Sequence, residues 1–178
     1  MLLRNDGRDA GGTLRFSDVA MATGADDIKD GRGMATADFD NDGDLDIVVN
    51  NSVGDSGRAE MARATVLRNN VGGRSNWLAV ELEGTESDRD GVGALVTIEA
   101  GGGRQVRLAS AGSGFASQSS GRLYFGLGGV GQVDSVTVRW PRGRVERFER
   151  VGGAPIVARQ LLRVKEGAGA EAHPLPSK

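Results

Sequence analysis

Residues 38–46 read Asp-Phe-Asp-Asn-Asp-Gly-Asp-Leu-Asp, so five carboxylates alternate with other residues around one central glycine. Five like charges at this spacing repel one another unless a counter-charge lies among them. A bound cation is the simplest such counter-charge. Because all the donors are oxygens, a hard ion fits. Ca²⁺ is favoured over Mg²⁺ because it accepts roughly six to eight flexibly placed oxygen ligands.

The spacing predicts a calcium loop whose ligands are side-chain oxygens and one backbone carbonyl. The predicted side-chain ligands are Asp38, Asp40, Asp42 and Asp46, and the predicted carbonyl ligand is Asp44. Gly43 permits the sharp turn that such a loop needs. The alternative is an acidic turn with solvated charges, but an Asp-x-Asp-x-Asp-Gly pattern is more specific than acidity alone.

The residues around the loop exclude an EF-hand. An EF-hand loop requires a bidentate Glu at its twelfth position, and the twelfth residue from Asp38 is Val49. EF-hand loops also lie between helices, whereas residues 33–37 are small and residues 45–49 are a short β-branched run. Both flanks are typical of strands, so the sequence predicts a calcium loop between two β-strands.

The composition limits the classes of function. The chain has 178 residues, 29 glycines, no cysteine and a net charge of -2. The near-neutral charge argues against a general nucleic-acid or anionic-membrane binder. The absence of cysteine excludes disulfides, thiolate zinc sites and cysteine nucleophiles. Residues 1–6 contain no apolar core of a signal peptide, and no apolar run has the length that a membrane span requires.

From residue 75 onward the pattern is that of alternating strands. Seven short strands are predicted at 77–83, 94–99, 104–108, 122–125, 133–140, 144–150 and 160–164. Glycine-rich turns separate them, which is typical of an antiparallel sandwich or barrel. We therefore predict an all-β protein.

The loop and its flanks resemble a known family. Residues 31–51, Gly-Arg-Gly-Met-Ala-Thr-Ala followed by the acidic loop and Ile-Val-Val-Asn-Asn, are similar to an FG-GAP/VCBS repeat, a calcium-loop blade of β-propellers. The resemblance implies the same five aspartate ligands. A Leu-Arg-Asn string at 3–5 returns at 67–69, which suggests one repeat unit around the loop. A single blade cannot close a propeller, so it packs on the next domain, oligomerises, or lacks upstream blades.

The second half resembles the ASPIC/UnbV domain, which follows FG-GAP repeats in the cartilage acidic protein family and its bacterial members. The matching motifs are Ser-Asn-Trp-Leu at 75–78, Ser-Asp-Arg-Asp-Gly-Val-Gly-Ala at 87–94, Gly-Phe-Ala-Ser-Gln at 114–118, Phe-Gly-Leu-Gly at 125–128 and Trp-Pro-Arg-Gly at 140–143. Asp88, Tyr124 and Arg142 stand where the family often has Asn, His and Ser. If that His serves chemistry in some members, this chain lacks it.

The two resemblances divide the chain into three parts. Residues 1–74 are predicted to form the FG-GAP/VCBS-like blade, 75–166 the ASPIC/UnbV sandwich, and 167–178 a disordered tail, because the tail has no hydrophobic periodicity. His173 is the only histidine and lies in that tail. Catalysis by a Ser-His-Asp triad is therefore not expected.

Several other patterns have structural explanations that we favour over functional ones. The Gly-x-Gly-x-x-Gly at 126–131 precedes a strand rather than the helix that a dinucleotide site needs, so we interpret it as a glycine-rich hairpin. Acidic residues interrupt the arginines at 139–150, which argues against phosphate binding. Trp77 and Trp140 are predicted to pack in the core, and the turn at 87–90 is predicted to be held by structural hydrogen bonds.

These observations predict a calcium-binding, non-catalytic interaction or structural module. The resemblance implies an extracellular or periplasmic location and an extracellular protein or glycan as partner, without nucleic acid. The alternative is an accessory or tailoring protein, even an enzyme, in natural-product biosynthesis of the enediyne type. A concave pocket with two carboxylates away from the loop would favour that alternative, and a pocketless sandwich would exclude it.

Overall fold

The protein is almost entirely β-structure, as predicted. A computed structural model describes residues 1–53, 57, 62–71, 74–112 and 114–175. The first part of the chain forms β1 (Leu3–Arg8), β2 (Leu14–Asp18), the short helix α1 (Ala20–Thr23), β3 (Asp30–Ala37), β4 (Asp46–Ser52) and β5 (Thr65–Leu67). Within the described ranges, no helix has the length and apolar character that a membrane-spanning segment requires.

The acidic loop connects two adjacent antiparallel strands. β3 pairs with β4 from Asp30↔Ser52 to Ala37↔Asp46, and β5 extends the sheet on the other side of β4. β1 and β2 form a separate two-stranded hairpin. The predicted strand–loop–strand arrangement is therefore confirmed. In the described residues this sheet has three strands, whereas a propeller blade has four.

From residue 74 onward, the described residues form eleven strands. They are β6 (Asn76–Glu83), β7 (Leu95–Ala100), β8 (Gly103–Leu108), β9 (Leu123–Gly128), β10 (Gln132–Val133), β11 (Ser135–Arg139), β12 (Val145–Phe148), β13 (Arg150–Val151), β14 (Ala154–Val157), β15 (Gln160–Lys165) and β16 (Gly169–Pro174). They form two four-stranded sheets, β16-β15-β6-β9 and β12-β11-β7-β8, and a small sheet β10-β14-β13.

The two four-stranded sheets share one hydrophobic core, so the sandwich prediction is confirmed. Alternate residues of facing strands meet in this core, including Leu78 and Val80 of β6, Val96 of β7, Phe125 of β9 and Val138 of β11, each fully buried. One pairing departs from the predicted antiparallel order, because β6 and β15 run parallel. The glycine-rich segment at 126–131 is not a hairpin, since β9 pairs with β6 whereas β10 pairs with β14.

Strand β6 is buried on both faces, and this places the candidate site. While Leu78 and Val80 face the sandwich core, Trp77 and Ala79 belong to a second apolar cluster with Leu161. Tyr124 packs against that second cluster. A strand that is apolar on both faces must be covered on both sides. The N-terminal part of the chain covers this second face of β6 at Trp77.

The prediction of a disordered tail is wrong for residues 169–174. They form β16, which pairs along its whole length with β15, so that His173 lies opposite Leu161. The sequence pattern failed here because β16 is an edge strand with little apolar periodicity, and backbone hydrogen bonds to β15 hold it. Residues 176–178 lie outside the described residues.

Glu166 fastens the end of β15 to the turn that follows β6. Its side chain is almost fully buried, and its Oε2 accepts backbone N–H bonds from Thr85, Glu86 and Ser87 at 2.8–2.9 Å. The Ser87 hydroxyl donates to Oε1 at 2.9 Å. Burial raises the pKa of Glu166, but these hydrogen bonds outweigh burial and lower the pKa to about 2. Structural hydrogen bonds thus hold the 87–90 turn at its first residue, Ser87, as predicted.

Acid should weaken the hydrogen bonds that Glu166 accepts from the turn after β6. Because the pKa of folded Glu166 lies below its ordinary value of 4.5, its contribution to stability is complete above about pH 4.5 and is lost as the pH falls towards about 2. We expect Glu166→Gln to lower the melting temperature by several degrees at neutral pH. The difference from the unmodified protein should shrink in melts at about pH 3. A difference that is constant from neutral to acid pH would contradict this assignment.

Candidate metal centre

Three of the predicted ligands converge in the loop between β3 and β4. One carboxylate oxygen from each of Asp38, Asp40 and Asp42 lies within 4.8 Å of the others. The loop begins directly after Ala37, the last residue of β3, and ends at Asp46, the first residue of β4. The antiparallel pairing of these two strands therefore fixes both ends of the loop.

Backbone hydrogen bonds to Asp38 give the loop its shape. Its Oδ1 accepts the N–H of Asp42 at 3.1 Å, and its Oδ2 accepts the N–H of Gly43 at 3.0 Å. Gly43 has a φ of 94° and Asn41 a φ of 57°. Both are left-handed conformations that glycine and asparagine adopt most readily. The predicted sharp turn at Gly43 is confirmed.

The other two predicted ligands lie outside this cluster of three. The Asp46 carboxylate is 1% exposed and accepts the N–H of Phe39 at 3.0 Å and the N–H of Asn69 at 2.8 Å. It closes the loop and ties it to the segment after β5. Asp44 is buried as well. The roles of Asp44 and Asp46 as ligands stay predictions.

The repeated Leu-Arg-Asn string contacts the loop at its second copy. Arg68 forms an ion pair with Asp40, and the backbone N–H of Asn69 donates to Asp46. The guanidinium thus neutralises part of the charge on the loop. The repeat is visible in the sequence, but the pattern alone does not indicate that its second copy contacts two of the five aspartates.

The sandwich contacts the loop directly. Gly43 packs against the Trp77 indole so closely that a Cβ built on the glycine would lie 1.9 Å from the ring. The Tyr124 hydroxyl donates to Asp38 Oδ2 at 3.2 Å. Burial raises the pKa of Tyr124 to about 12, so the phenol keeps its proton and remains a donor at neutral pH.

Two further hydrogen bonds join the N-terminal part of the chain to the sandwich, one at Asn41 and one at Thr36. Arg122 donates through Nη1 to Asn41 Oδ1 at 3.3 Å and through Nε to Glu81 Oε2 at 3.2 Å. The free edge of β3 is also covered, because Ser120 donates its N–H to the Thr36 carbonyl at 2.8 Å. The loop is therefore held by both parts of the chain. Local sequence patterns do not indicate these partners, because they lie about 80 residues away along the chain.

The residues of the loop fit a hard cation. All three clustered donors are carboxylate oxygens, the ligand type that Ca²⁺ and Mg²⁺ prefer. Nine residues carry five negative charges, and Arg68 supplies one nearby positive charge. A divalent ion would relieve the remaining repulsion.

The other candidate residues pack in the interior or pair with neighbouring side chains. Trp77 and Trp140 are 7% and 1% exposed, which confirms that they pack in the interior. His173 lies beside Glu171 on β16, with Nε2 and Oε2 3.5 Å apart. Arginines in the 139–150 run pair with acidic residues, as Arg147 does with Glu99 and Glu149.

Comparison with known proteins identifies the sandwich. The model of the family described as "ASPIC and UnbV" matches residues 84–171. The chain contains an ASPIC/UnbV domain. Cartilage acidic protein 1 from Homo sapiens and from Mus musculus is 32% identical over 116 residues, and that from Xenopus tropicalis is 31% identical over 119 residues. Each match covers 65% of this chain.

The chain spans only 16–17% of the length of these curated relatives. The ASPIC/UnbV match begins at residue 84, directly after β6. The strand itself lies in the same sheet as β9 and β15 of the matched region. The acidic loop precedes the matched residues and docks on the outer face of the ASPIC/UnbV sheet, at Trp77 and Tyr124.

Proposed function

We propose that the chain is a calcium-binding, non-catalytic interaction module, in which an FG-GAP/VCBS-like loop is docked on the ASPIC/UnbV domain. The observation that carries this proposal is the convergence of Asp38, Asp40 and Asp42 within 4.8 Å. The ion's role is to hold the loop in the shape that contacts Trp77 and Tyr124. The same ion thereby fastens the N-terminal sheet to the sandwich.

The expected energetic effect is large. An ion at about a hundredfold its dissociation constant adds roughly 2.7 kcal/mol to the free energy of unfolding. A typical domain is stable by only about 5–15 kcal/mol. For a chain of this size, a gain of that magnitude corresponds to a rise in melting temperature of about 5–10 °C.

The test is a set of thermal melts of the purified chain in EDTA, in millimolar Ca²⁺ and in millimolar Mg²⁺. We expect a rise of several degrees with Ca²⁺ and a much smaller one with Mg²⁺, which demands a tighter octahedral shell. Asp42→Ala should abolish the rise. Asp26→Ala is the matched control, because Asp26 is exposed and outside the cluster. Equal melts in EDTA and Ca²⁺ would refute the calcium site.

The location and the partner of the module are inferred from the resemblance to the cartilage acidic protein family. We propose that it belongs to an extracellular or periplasmic protein, where calcium is abundant, and that its partner is an extracellular protein or glycan. The sheet that carries the loop has apolar side chains, Met34 and Val66, that are more than half exposed. This exposure supports the proposal that upstream blades or further copies of the chain cover the sheet. Analytical ultracentrifugation of the chain distinguishes a monomer from an oligomer.

One observation favours the second candidate, an accessory or tailoring protein in natural-product assembly. A cavity away from the acidic cluster is lined by two carboxylates, Glu81 and Asp90. However, Glu81 pairs with Arg122 at 3.2 Å and lies 3.7 Å from Arg163. The Glu81 carboxylate is therefore already engaged by guanidinium groups of the protein. We therefore retain the binding module as the proposed function.

A further inference from the structure

Two sequence motifs of the ASPIC/UnbV domain, at 87–94 and 114–118, meet strand β6 at one cavity of about 320 Å³. Strand β6 contributes Glu81, the 87–94 motif contributes Asp90, and the segment before β9 contributes Gln118 and Arg122. A cavity of this size lies at the lower end of the range for small-molecule sites, about 300–1,000 Å³. Packing of the sandwich core does not require these polar residues to converge.

The wall that carries Asp90 is held rigidly. The N–H of Gly91 donates to the Asp88 carbonyl at 2.8 Å, and the N–H of Gly93 donates to the Ala109 carbonyl at 2.8 Å. Gly91 has a φ of 66°, and a Cβ there would lie 2.7 Å from Leu82. Glu166 fixes the preceding turn. A cavity with walls fixed in advance binds a small ligand at a lower entropic cost.

The floor and the rim of the cavity differ in chemistry. Leu82 and Ala109 are buried and form an apolar floor. The polar lining consists of Glu81, Asp90, Ser110, Gln118, Ser120 and Arg122. Among the described residues, the side chains of Asp90 and Gln118 make no hydrogen bond with the protein, so they are available to a ligand.

The charges of the lining limit the class of ligand. Two carboxylates and one guanidinium give the lining a net charge of about -1, which disfavours phosphates and other anions. The described residues around it do not form a cluster of three metal-ligating groups, which disfavours a divalent ion. None of the described residues that line the cavity is aromatic, which disfavours a planar ring that binds by stacking. Mixed donors and acceptors over an apolar floor suit a neutral ligand with many hydroxyls.

We propose that this cavity is a binding site for a small neutral carbohydrate, with Asp90 and Gln118 as hydrogen-bonding residues and the Arg122–Glu81 pair as a fixed donor and acceptor. This inference rests on the proposed function of a binding module. It adds the class of ligand that the module binds. None of the described residues that line the cavity belongs to the acidic loop.

The test is saturation-transfer NMR of the whole chain with glucose, galactose, mannose and N-acetylglucosamine, in EDTA. We expect saturation of the ring protons of at least one sugar, with a dissociation constant that Gln118→Leu weakens by about tenfold, as loss of a ligand hydrogen bond predicts. Because EDTA removes calcium, failure of the calcium site leaves this result unchanged.

The matched control is Gln132→Leu, which makes the same chemical change at an exposed residue of β10 outside the cavity. Binding that survives in Gln132→Leu and weakens in Gln118→Leu supports the proposal, provided both variants melt like the parent chain. No saturation of any sugar, or equal weakening in both variants, would overturn it. Binding of spermidine in place of the sugars would also overturn it, because the site would then select a cation.

Discussion

Replacing Trp140 with alanine is expected to lower the free energy of unfolding by about 3–5 kcal/mol, the usual cost of emptying a buried tryptophan site. Trp140 is 1% exposed. Its indole N–H donates to Glu146 Oε2 at 2.7 Å, so the substitution also removes a hydrogen bond to a charged group. Urea unfolding followed by circular dichroism measures the change.

Trp140→Phe separates the two contributions. It keeps most of the apolar volume but removes the N–H, so its effect should be clearly smaller than that of alanine. The indole also lies under the 87–94 motif, because a Cβ on Gly91 would be 3.3 Å from it. A loss below about 1 kcal/mol in Trp140→Ala would show that this residue does not anchor the core.

The second large effect is expected at Gly43. An alanine there would have to adopt a φ of 94° and would place its Cβ 1.9 Å from the Trp77 ring. Left-handed strain and overpacking together should cost about 2–4 kcal/mol. Because the loop would have to move away from the sandwich, we also expect the calcium-dependent rise in melting temperature to shrink.

Gly12→Ala is the matched control for this prediction. Gly12 has a φ of 82°, but a Cβ there would meet no atom within 4 Å. It therefore reports the conformational strain alone, about 1–2 kcal/mol, without the contact at Trp77. If Gly43→Ala and Gly12→Ala destabilised the chain equally, the docking of the loop on Trp77 would contribute nothing to stability.

Local patterns in the sequence predicted the strands and the turn of the acidic loop. Alternation of apolar and polar residues is visible along β7 and β11, and the residues on either side of Gly43 in the acidic loop indicate a turn there. These features depend on residues close together along the chain. The same is true of the match between the 87–94 motif and the ASPIC/UnbV family.

Contacts between residues far apart along the chain could not be predicted in this way. Tyr124 meets Asp38 across 86 residues, and Glu166 meets Thr85 across 81 residues. The hydrophobic periodicity of the sequence does not indicate either contact. Both depend on how the strands are arranged in the folded protein. Strand β16 was missed for a related reason, since its pairing with β15 is satisfied by backbone groups and needs no particular side chains.

A cation site at Asp38, Asp40 and Asp42 can be measured by isothermal titration calorimetry with Ca²⁺. We expect saturable binding of one ion per chain, which Asp42→Ala abolishes and Asp26→Ala leaves unchanged. The absence of saturable binding, or equal binding by Asp42→Ala and the parent chain, would contradict it. The acidic loop would then be a turn held by its own hydrogen bonds and by Arg68.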